Sequence, residues 1–201
     1  DYKTGSPKLF LNEIMEGLSL QLITYLLALS KTKDTKDLLP AAMMYIYLHG
    51  RPKSISVPPN GIPHAKEKEN TNGIFLNDPD VLRTLDSQSG TDDGFIGVSY
   101  VKDGSVKKTS PVLTAEEFEA LKALTEKTLI RLYSRLESGE IAIHPVKNGT
   151  LSPCSYCPYR SICRFDPALP ENSFDYISKV SDKTIREKLD EEMKRTRKEN
   201  L

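Results

Sequence analysis

Two residues at the start of the chain have side chains that could do chemistry together. Asp1 and Lys3 are two positions apart in DYKTG, and alternate residues of a strand leave the same face of a sheet. The carboxylate could hold a divalent cation while the ammonium meets a phosphate or orients a water molecule. The same pair on an exposed strand would be an ion pair that contributes little to stability. Taken alone, the pair favours the surface ion pair.

A second polar pair lies within the apolar stretch LSLQLITYLLALS. Gln21 and Tyr25 are four positions apart, so one face of a helix would carry both side chains. An amide in an apolar helix is destabilising unless it is hydrogen-bonded. The pair could contact the framework of an active site or a DNA backbone, or it could be a core glutamine bonded to backbone beside a core tyrosine. Without another motif, the second interpretation is favoured.

All three cysteines of the 201-residue chain fall in SPCSYCPYRSICRFDP, as Cys154, Cys157 and Cys163. A C-x2-C-x5-C spacing lets a tight turn and one helical turn aim three thiolates at one centre, and zinc and iron–sulfur clusters both accept thiolates. The alternative is three buried cysteines that act as small apolar residues. A fourth ligand could be His144 or a cysteine outside this sequence. For a lone histidine, an ordinary polar residue after the long helix is the favoured interpretation of His144.

Composition excludes some classes of protein. Lysine plus arginine and aspartate plus glutamate both number 28, so the chain lacks the overall basic excess of many nucleic-acid-binding proteins. No apolar run is long enough to span a bilayer, and no phosphate-binding glycine loop is present. An odd number of closely spaced cysteines is a poor disulfide framework and favours metal ligation in a reducing compartment, which predicts a cytoplasmic protein. The lack of a long apolar run predicts no membrane partner.

Hydrophobic periodicity predicts the elements that must position these residues. A helix is expected over 11–30, with Asn12 as its N-cap, and a central strand over 41–49, which is apolar on both faces. Residues 50–73, rich in proline, lysine, glycine and asparagine, read as a mobile insertion. The Asp-Gly pair in VSYVKDGSVKK predicts a hairpin.

The C-terminal half contains the clearest helix. It begins at a capping box formed by Thr114 and Glu117 and is closed by Gly139. Its apolar stripe comprises Phe118, Leu121, Leu124, Leu129, Leu132 and Leu136. The mixed-charge tail from about Ser181 is expected to be a solvent-facing helix or partly disordered.

Together these motifs resemble a known family. An Asp-x-Lys at a strand end followed by a helix with Gln-x-x-x-Tyr resembles the RecB-type nucleases of the PD-(D/E)xK superfamily. The segments GLSLQLITYL, PAAMMYIYLH and GEIAIHPVKNGTLSPCSYCPYRSICRFDP resemble the AddB family of helicase–nuclease subunits. The resemblance extends to about Pro170.

The resemblance implies an α/β fold of the restriction-endonuclease-like type: a mixed sheet flanked by helices, truncated at its N-terminal side, with a C-terminal iron–sulfur segment. It implies a partial nuclease core over 1–140, with the insertion and hairpin at about 50–110. A cluster segment over 141–170 and a charged tail over 171–201 would follow.

The resemblance also implies the site. Asp1, Lys3, Gln21 and Tyr25 would be its catalytic residues, with Asp1 a ligand of Mg²⁺. The three cysteines would hold a 4Fe–4S cluster whose fourth cysteine lies outside this sequence. Further acidic ligands and an initiator methionine are missing, so we expect a longer protein and negligible activity from these residues alone.

The implied function is metal-dependent 5′→3′ exonuclease activity on single-stranded DNA during double-strand-break repair and recombination. An AddA-like subunit would be the partner in a heterodimer on single- and double-stranded DNA, and ATP hydrolysis would belong to that complex. Two alternatives stay open: a stand-alone or CRISPR-associated exonuclease, and a non-catalytic, metal-bearing DNA-binding module.

Overall fold

The computed structural model describes Lys3 and residues 7–47, 71–91, 94–170, 172–177 and 180–199. Within these ranges, helices and short strands alternate irregularly along the chain. The elements, in order, are α1 (Leu11–Met15), α2 (Gln21–Ser30), β1 (Ala42–Ile46), β2 (Thr71–Leu76), α3 (Pro79–Leu85), β3 (Val112–Leu113), α4 (Ala115–Glu137), β4 (Val146–Lys147), a 3₁₀ helix (Pro153–Ser155), α5 (Arg160–Cys163), β5 (Asp175–Tyr176) and α6 (Asp182–Glu199).

A mixed sheet lies at the centre of the described fold. β1 pairs with β2 in an antiparallel ladder, and β2 pairs with β3 in a parallel one. Among the described strands the middle position belongs to β2, so the prediction that the strand at 41–49 is central is wrong for the part that the structure describes. Burial agrees with this order, because the last four residues of β2 are all buried whereas Ile46 of β1 is exposed.

The two faces of the sheet carry two separate apolar clusters. Successive side chains of a strand point to opposite faces, and β2 follows this rule. Ile74 and Leu76 join the larger cluster under α2, α4 and α6, whereas Phe75 joins a smaller one with Leu82 of α3 and Val112. The sheet is therefore covered on both faces.

The single helix predicted over 11–30 is wrong, because the chain turns sharply after α1. Gly17 adopts φ +85°, and Leu18 N donates to the carbonyl of Glu13 (2.8 Å). This is the longer hydrogen bond of a Schellman motif, which favours glycine because the left-handed conformation crowds a Cβ. Ser19 follows with φ +52°, and its hydroxyl donates to the Glu13 carboxylate (2.9 Å).

Two further local predictions are corrected. Asn12 lies inside α1, whose N-cap is Phe10 without a side-chain hydrogen bond. The insertion predicted over 50–73 ends earlier, since β2 begins at Thr71; residues 50–70 lie outside the described residues.

Local turn and capping signals are confirmed. The hairpin turn places Gly104 at φ +86° between Tyr100 and Val106, which form an antiparallel bridge. Helix α4 begins with both hydrogen bonds of the capping box, Glu117 N to Thr114 Oγ1 (3.1 Å) and Thr114 N to Glu117 Oε2 (2.8 Å). Both signals involve residues close in sequence, so they need no tertiary context.

The apolar stripe of α4 is buried only in its first half. Phe118 and Leu121 are fully buried, whereas Leu136 is 77% exposed. Gly139 adopts φ +72° just beyond the helix, as the sequence predicts. The last turns of α4 therefore extend beyond the core formed by the described residues.

The C-terminal tail forms helix α6 and packs on α4. Ile185 and Leu189, one helical turn apart, are buried in the larger cluster. Arg186 Nη1 donates to Glu117 Oε1 at the start of α4 (2.7 Å). The helical alternative for the tail thus holds, but one face of the helix is buried rather than in solvent.

Candidate active site

Three of the predicted catalytic residues lie in one chain of hydrogen bonds. Lys3 Nζ donates to Gln21 Oε1 (2.8 Å), and Gln21 Nε2 donates to Tyr25 Oη (2.7 Å). The amide of Gln21 therefore presents its oxygen to a cation and its nitrogen to a phenol, which fixes the orientation of the amide. Asp1, the fourth predicted residue, lies outside the described residues.

The turn between α1 and α2 places this chain at the start of a helix. Gln21 is the first residue of α2, and Tyr25 lies one turn later on the same face. Because the Schellman motif ends α1, α2 starts in a new direction. Without that break the two polar side chains would lie in the middle of a longer helix.

Residues 7–9 are hydrogen-bonded to β2 and to the residue that follows β1. Tyr47 Oη donates to the carbonyl of Pro7 (2.5 Å), and Leu9 N donates to the Asn72 side chain. Burial, with a smaller contribution from Tyr45, raises the pKa of Tyr47, so this hydroxyl stays a neutral donor. These contacts hold residues 7–9 alongside β1 and β2.

Sequence reasoning missed the residue that holds the turn before Gln21. Glu13 accepts from the Ser19 hydroxyl (2.9 Å), and its other oxygen lies 3.5 Å from Asn148 Nδ2 in the turn after β4. No motif in the sequence singles out Glu13. The Gly17-Leu-Ser19 sequence is the available signal for a break. The other partner of Glu13, Asn148, is 135 residues away in the sequence, so no local pattern could reveal it.

The arrangement can present a fixed positive charge at the protein surface. Lys3 is exposed and Tyr25 is 49% exposed. An ammonium has three N–H donors, and the bond to Gln21 aims the charge by restricting the side chain. A positioned cation is suited to contact with a phosphate or with developing negative charge.

The cysteines lie in short helical turns beyond β4. Cys154 is in the 3₁₀ helix, where its N–H donates to Ser152 Oγ (3.3 Å), and Cys163 ends α5. All three thiols are free and at least partly exposed, which by donor type agrees with thiolate ligation. Within the described ranges, however, no group of three or more His, Cys, Asp or Glu side chains could hold a metal ion. The thiols are thus not gathered into a centre.

The alternative ligand His144 has a different partner. Its Nδ1 lies 2.9 Å from Ser173 Oγ. His144 lies two residues before β4 and Ser173 two residues before β5, so this hydrogen bond links the starts of the two strands. One ring nitrogen is therefore engaged in a hydrogen bond that connects the two strands. This contact is consistent with a structural role for His144.

Comparison with known proteins establishes the family. The model of the PD-(D/E)XK nuclease superfamily matches residues 1–164, a range that contains the hydrogen-bonded chain and the three cysteines. The chain therefore belongs to the PD-(D/E)XK nuclease superfamily. The mixed sheet covered by helices accords with that membership, and none of the helices in the described ranges has the length and apolar character needed to cross a membrane.

The relatives identify a more particular group within the superfamily. The chain is homologous to part of AddB, a subunit of the ATP-dependent helicase/deoxyribonuclease of several bacteria. It is 33% identical over 192 residues to that of Desulforamulus reducens (92% of this chain, 16% of the relative) and 34% identical over 193 residues to that of Clostridium kluyveri (92% and 17%). With the Bacillus subtilis protein it shares 32% over 196 residues (93% and 17%). The chain thus spans about one sixth of the length of these curated relatives.

Proposed function

We propose that this chain is the nuclease portion of an AddB-like helicase–nuclease subunit, a metal-dependent exonuclease that degrades single-stranded DNA 5′→3′ during double-strand-break repair and recombination. The proposal rests on one observation. In a member of a nuclease superfamily, two hydrogen bonds link Lys3 to Gln21 and Gln21 to Tyr25. The relatives are named as subunits of a helicase/deoxyribonuclease, which supports this setting over a stand-alone exonuclease. An AddA-like subunit is the proposed partner, in the cytoplasm.

Each of the four predicted catalytic residues has a proposed task. Asp1 would be a ligand of Mg²⁺, which in such sites acidifies water and neutralises phosphate oxygens. Lys3 places its ammonium against the scissile phosphate or the attacking water. Gln21 aims that ammonium through its amide oxygen, and Tyr25 accepts from the other end of the amide, which prevents the amide from rotating. Gln21 and Tyr25 are in this proposal positioning residues.

The cysteines are proposed to hold a 4Fe–4S cluster together with a fourth cysteine from another part of the protein. Phosphodiester hydrolysis transfers no electron, so the proposed task is structural. Ligation would order the thiols of Cys154, Cys157 and Cys163, because metal-binding free energy becomes folding free energy.

Cleavage by the full-length protein tests the catalytic proposal. Lys3→Ala should lower the rate of Mg²⁺-dependent cleavage of 5′-labelled single-stranded DNA by about 100- to 1,000-fold, the usual effect of removing one electrostatic group at a reacting phosphate or carbonyl. Lys8→Ala removes another exposed lysine of the same segment and should cleave at the wild-type rate. Equal rates for Lys3→Ala and wild type would contradict the proposal.

A further inference from the structure

A cluster of rings and one lysine lies on the small sheet that follows the cysteines. The rings of Phe165 and Phe174 meet edge to face with centroids 4.7 Å apart, and Phe174 meets Tyr176 in the same manner at 6.0 Å. Lys147 Nζ lies 4.8 Å from the centre of the Phe174 ring and 5.9 Å from that of Tyr176. We call these four residues the aromatic–lysine surface.

The backbone holds Tyr176 and Lys147 side by side. β4 and β5 are parallel, and Lys147 pairs with Tyr176 in their register, so both side chains leave the same face of the sheet. Tyr176 is nevertheless 68% exposed. Its ring thus contacts Phe174 at one side and has Lys147 Nζ over one face, and the remainder is open to solvent, which gives a flat apolar surface already held in place.

A groove beside the ring has room for a ligand. Its volume is 350 Å³, and its lining includes Tyr176, Phe174, Leu18 and the carboxylates Glu16 and Asp175. Glu16 lies 3.8 Å from Lys188 Nζ. The hydrogen bond to Glu140 is the main cause that raises the pKa of Arg135, and the charge of Asp175 makes a smaller contribution to that rise.

Among the described residues, the contacts of Lys147 are with ring faces rather than carboxylates. No acid in the part of the chain that the structure describes therefore forms an ion pair with Lys147, whereas Glu16 in the groove lies close to Lys188. An open ring beside such a cation is the combination that single-stranded nucleic acids use, with bases stacking on the ring and phosphates meeting the cation.

The aromatic–lysine surface is also connected to the candidate active site. Glu13 contacts Ser19 in the turn before α2 and Asn148 directly after β4. Leu18 in the groove wall lies three residues before Gln21, the first residue of α2. The same turn thus borders both the groove and the helix that carries the hydrogen-bonded chain.

We propose that Tyr176 and Lys147 bind one nucleotide of single-stranded DNA, with its base stacked on the tyrosine ring and its phosphate on the lysine ammonium. This rests on the proposed function, because it assigns a further contact to the strand that the nuclease would cut. Stacking is tolerant of base identity, so the contact retains the strand without selecting a sequence.

The test measures binding of a fluorescein-labelled 15-nucleotide oligo(dT) by anisotropy, with the intact polypeptide that carries these residues. EDTA removes the divalent cations, so no cleavage occurs. Binding is therefore measured independently of whether the catalytic proposal holds. Tyr176→Ala should weaken binding by about 5- to 150-fold, the range that loss of one stacked base produces. Tyr176→Phe retains the ring and should bind within about twofold of wild type.

A matched control and a second variant make the outcome specific. Tyr133→Ala removes a tyrosine of similar exposure, 63%, from the end of α4 and should leave binding unchanged. Lys147→Gln should reduce the slope of log affinity against log salt by about 0.7, as expected for one phosphate contact on a single strand. Wild-type affinity in Tyr176→Ala, an equal loss in Tyr133→Ala, an unchanged salt slope in Lys147→Gln, or no binding by wild type would overturn the proposal. Circular dichroism verifies that each variant is folded.

Discussion

Replacing Gly73 by alanine is a sensitive test of how closely β1 and β2 approach. Gly73 lies in β2 directly opposite Met44 of β1. A Cβ at this position would lie 2.4 Å from Met44 Cβ, 2.7 Å from the Met43 carbonyl oxygen and 2.8 Å from Met44 Cα. Two of these three atoms belong to the backbone, so the strands themselves would have to separate.

The magnitude follows from two opposing terms. Forcing an extra carbon into a packed region destabilises by about 1–3 kcal/mol. Restricting the unfolded chain by a glycine-to-alanine change stabilises by about 0.4–1 kcal/mol where the native backbone accepts the side chain. We expect Gly73→Ala to lower the free energy of unfolding by about 1–2 kcal/mol, because the clash outweighs the entropic gain.

Gly97 provides the matched control. A Cβ there would meet no atom within 4 Å, and the backbone is outside the left-handed region. Gly97→Ala should therefore raise the free energy of unfolding by about 0.4–1 kcal/mol. Urea unfolding followed by circular dichroism measures both variants, and shifts of the same sign and size would refute the close approach of the two strands.

Three other predictions concern a helix start, a titration and the cysteines. Glu117→Ala removes the capping-box acceptor and the ion pair to α6. Measured by urea unfolding, it should lower the free energy of unfolding by about 2–3 kcal/mol. The exposed control Glu116→Ala should change that free energy by less than about 0.5 kcal/mol. The hydrogen bond from Arg135 lowers the pKa of Glu140 below 4.5. The stabilisation that this pair gives the folded state is therefore present above pH 4.5 and is lost as the pH falls through the lowered pKa. In Arg135→Gln, NMR of the carboxyl group should show the titration midpoint of Glu140 moving back up. Full-length protein purified without oxygen should contain about four irons per chain, lost in Cys157→Ser; stoichiometric zinc without iron would contradict the cluster.

Local signals in the sequence were sufficient for some elements. The capping box of α4 and the Asp103-Gly104 turn depend on residues a few positions apart, and both are present. The break after α1 was missed because apolar periodicity continues through Gly17, although the glycine itself favours a turn. Its geometry also depends on the hydrogen bond from Ser19 to Glu13, which periodicity cannot reveal.

Tertiary contacts account for the rest. The spacing of Gln21 and Tyr25 predicts that they share a helix face, but the bond from Lys3 joins residues 18 positions apart. The family resemblance predicted that Lys3 and Gln21 belong to one site, and the bond itself was not predicted. The position of β2 between two strands depends on partners from distant segments. The sequence leaves two alternatives for the tail, a helix or partial disorder. It cannot choose between them because burial of Ile185 and Leu189 requires α4 as a packing surface.

The parallel pair β4–β5 has a consequence for the cysteines, since its two strands close a loop in the chain. Lys147 and Tyr176 are the paired ends, and Cys154, Cys157 and Cys163 all lie between them. Closing a flexible loop removes chain entropy, and the strand pairing closes this loop without any bond to a sulfur atom. For the proposed cluster, the three thiols would therefore be confined to a small tethered volume, and drawing them together would require less ordering than it would in a segment with a free end.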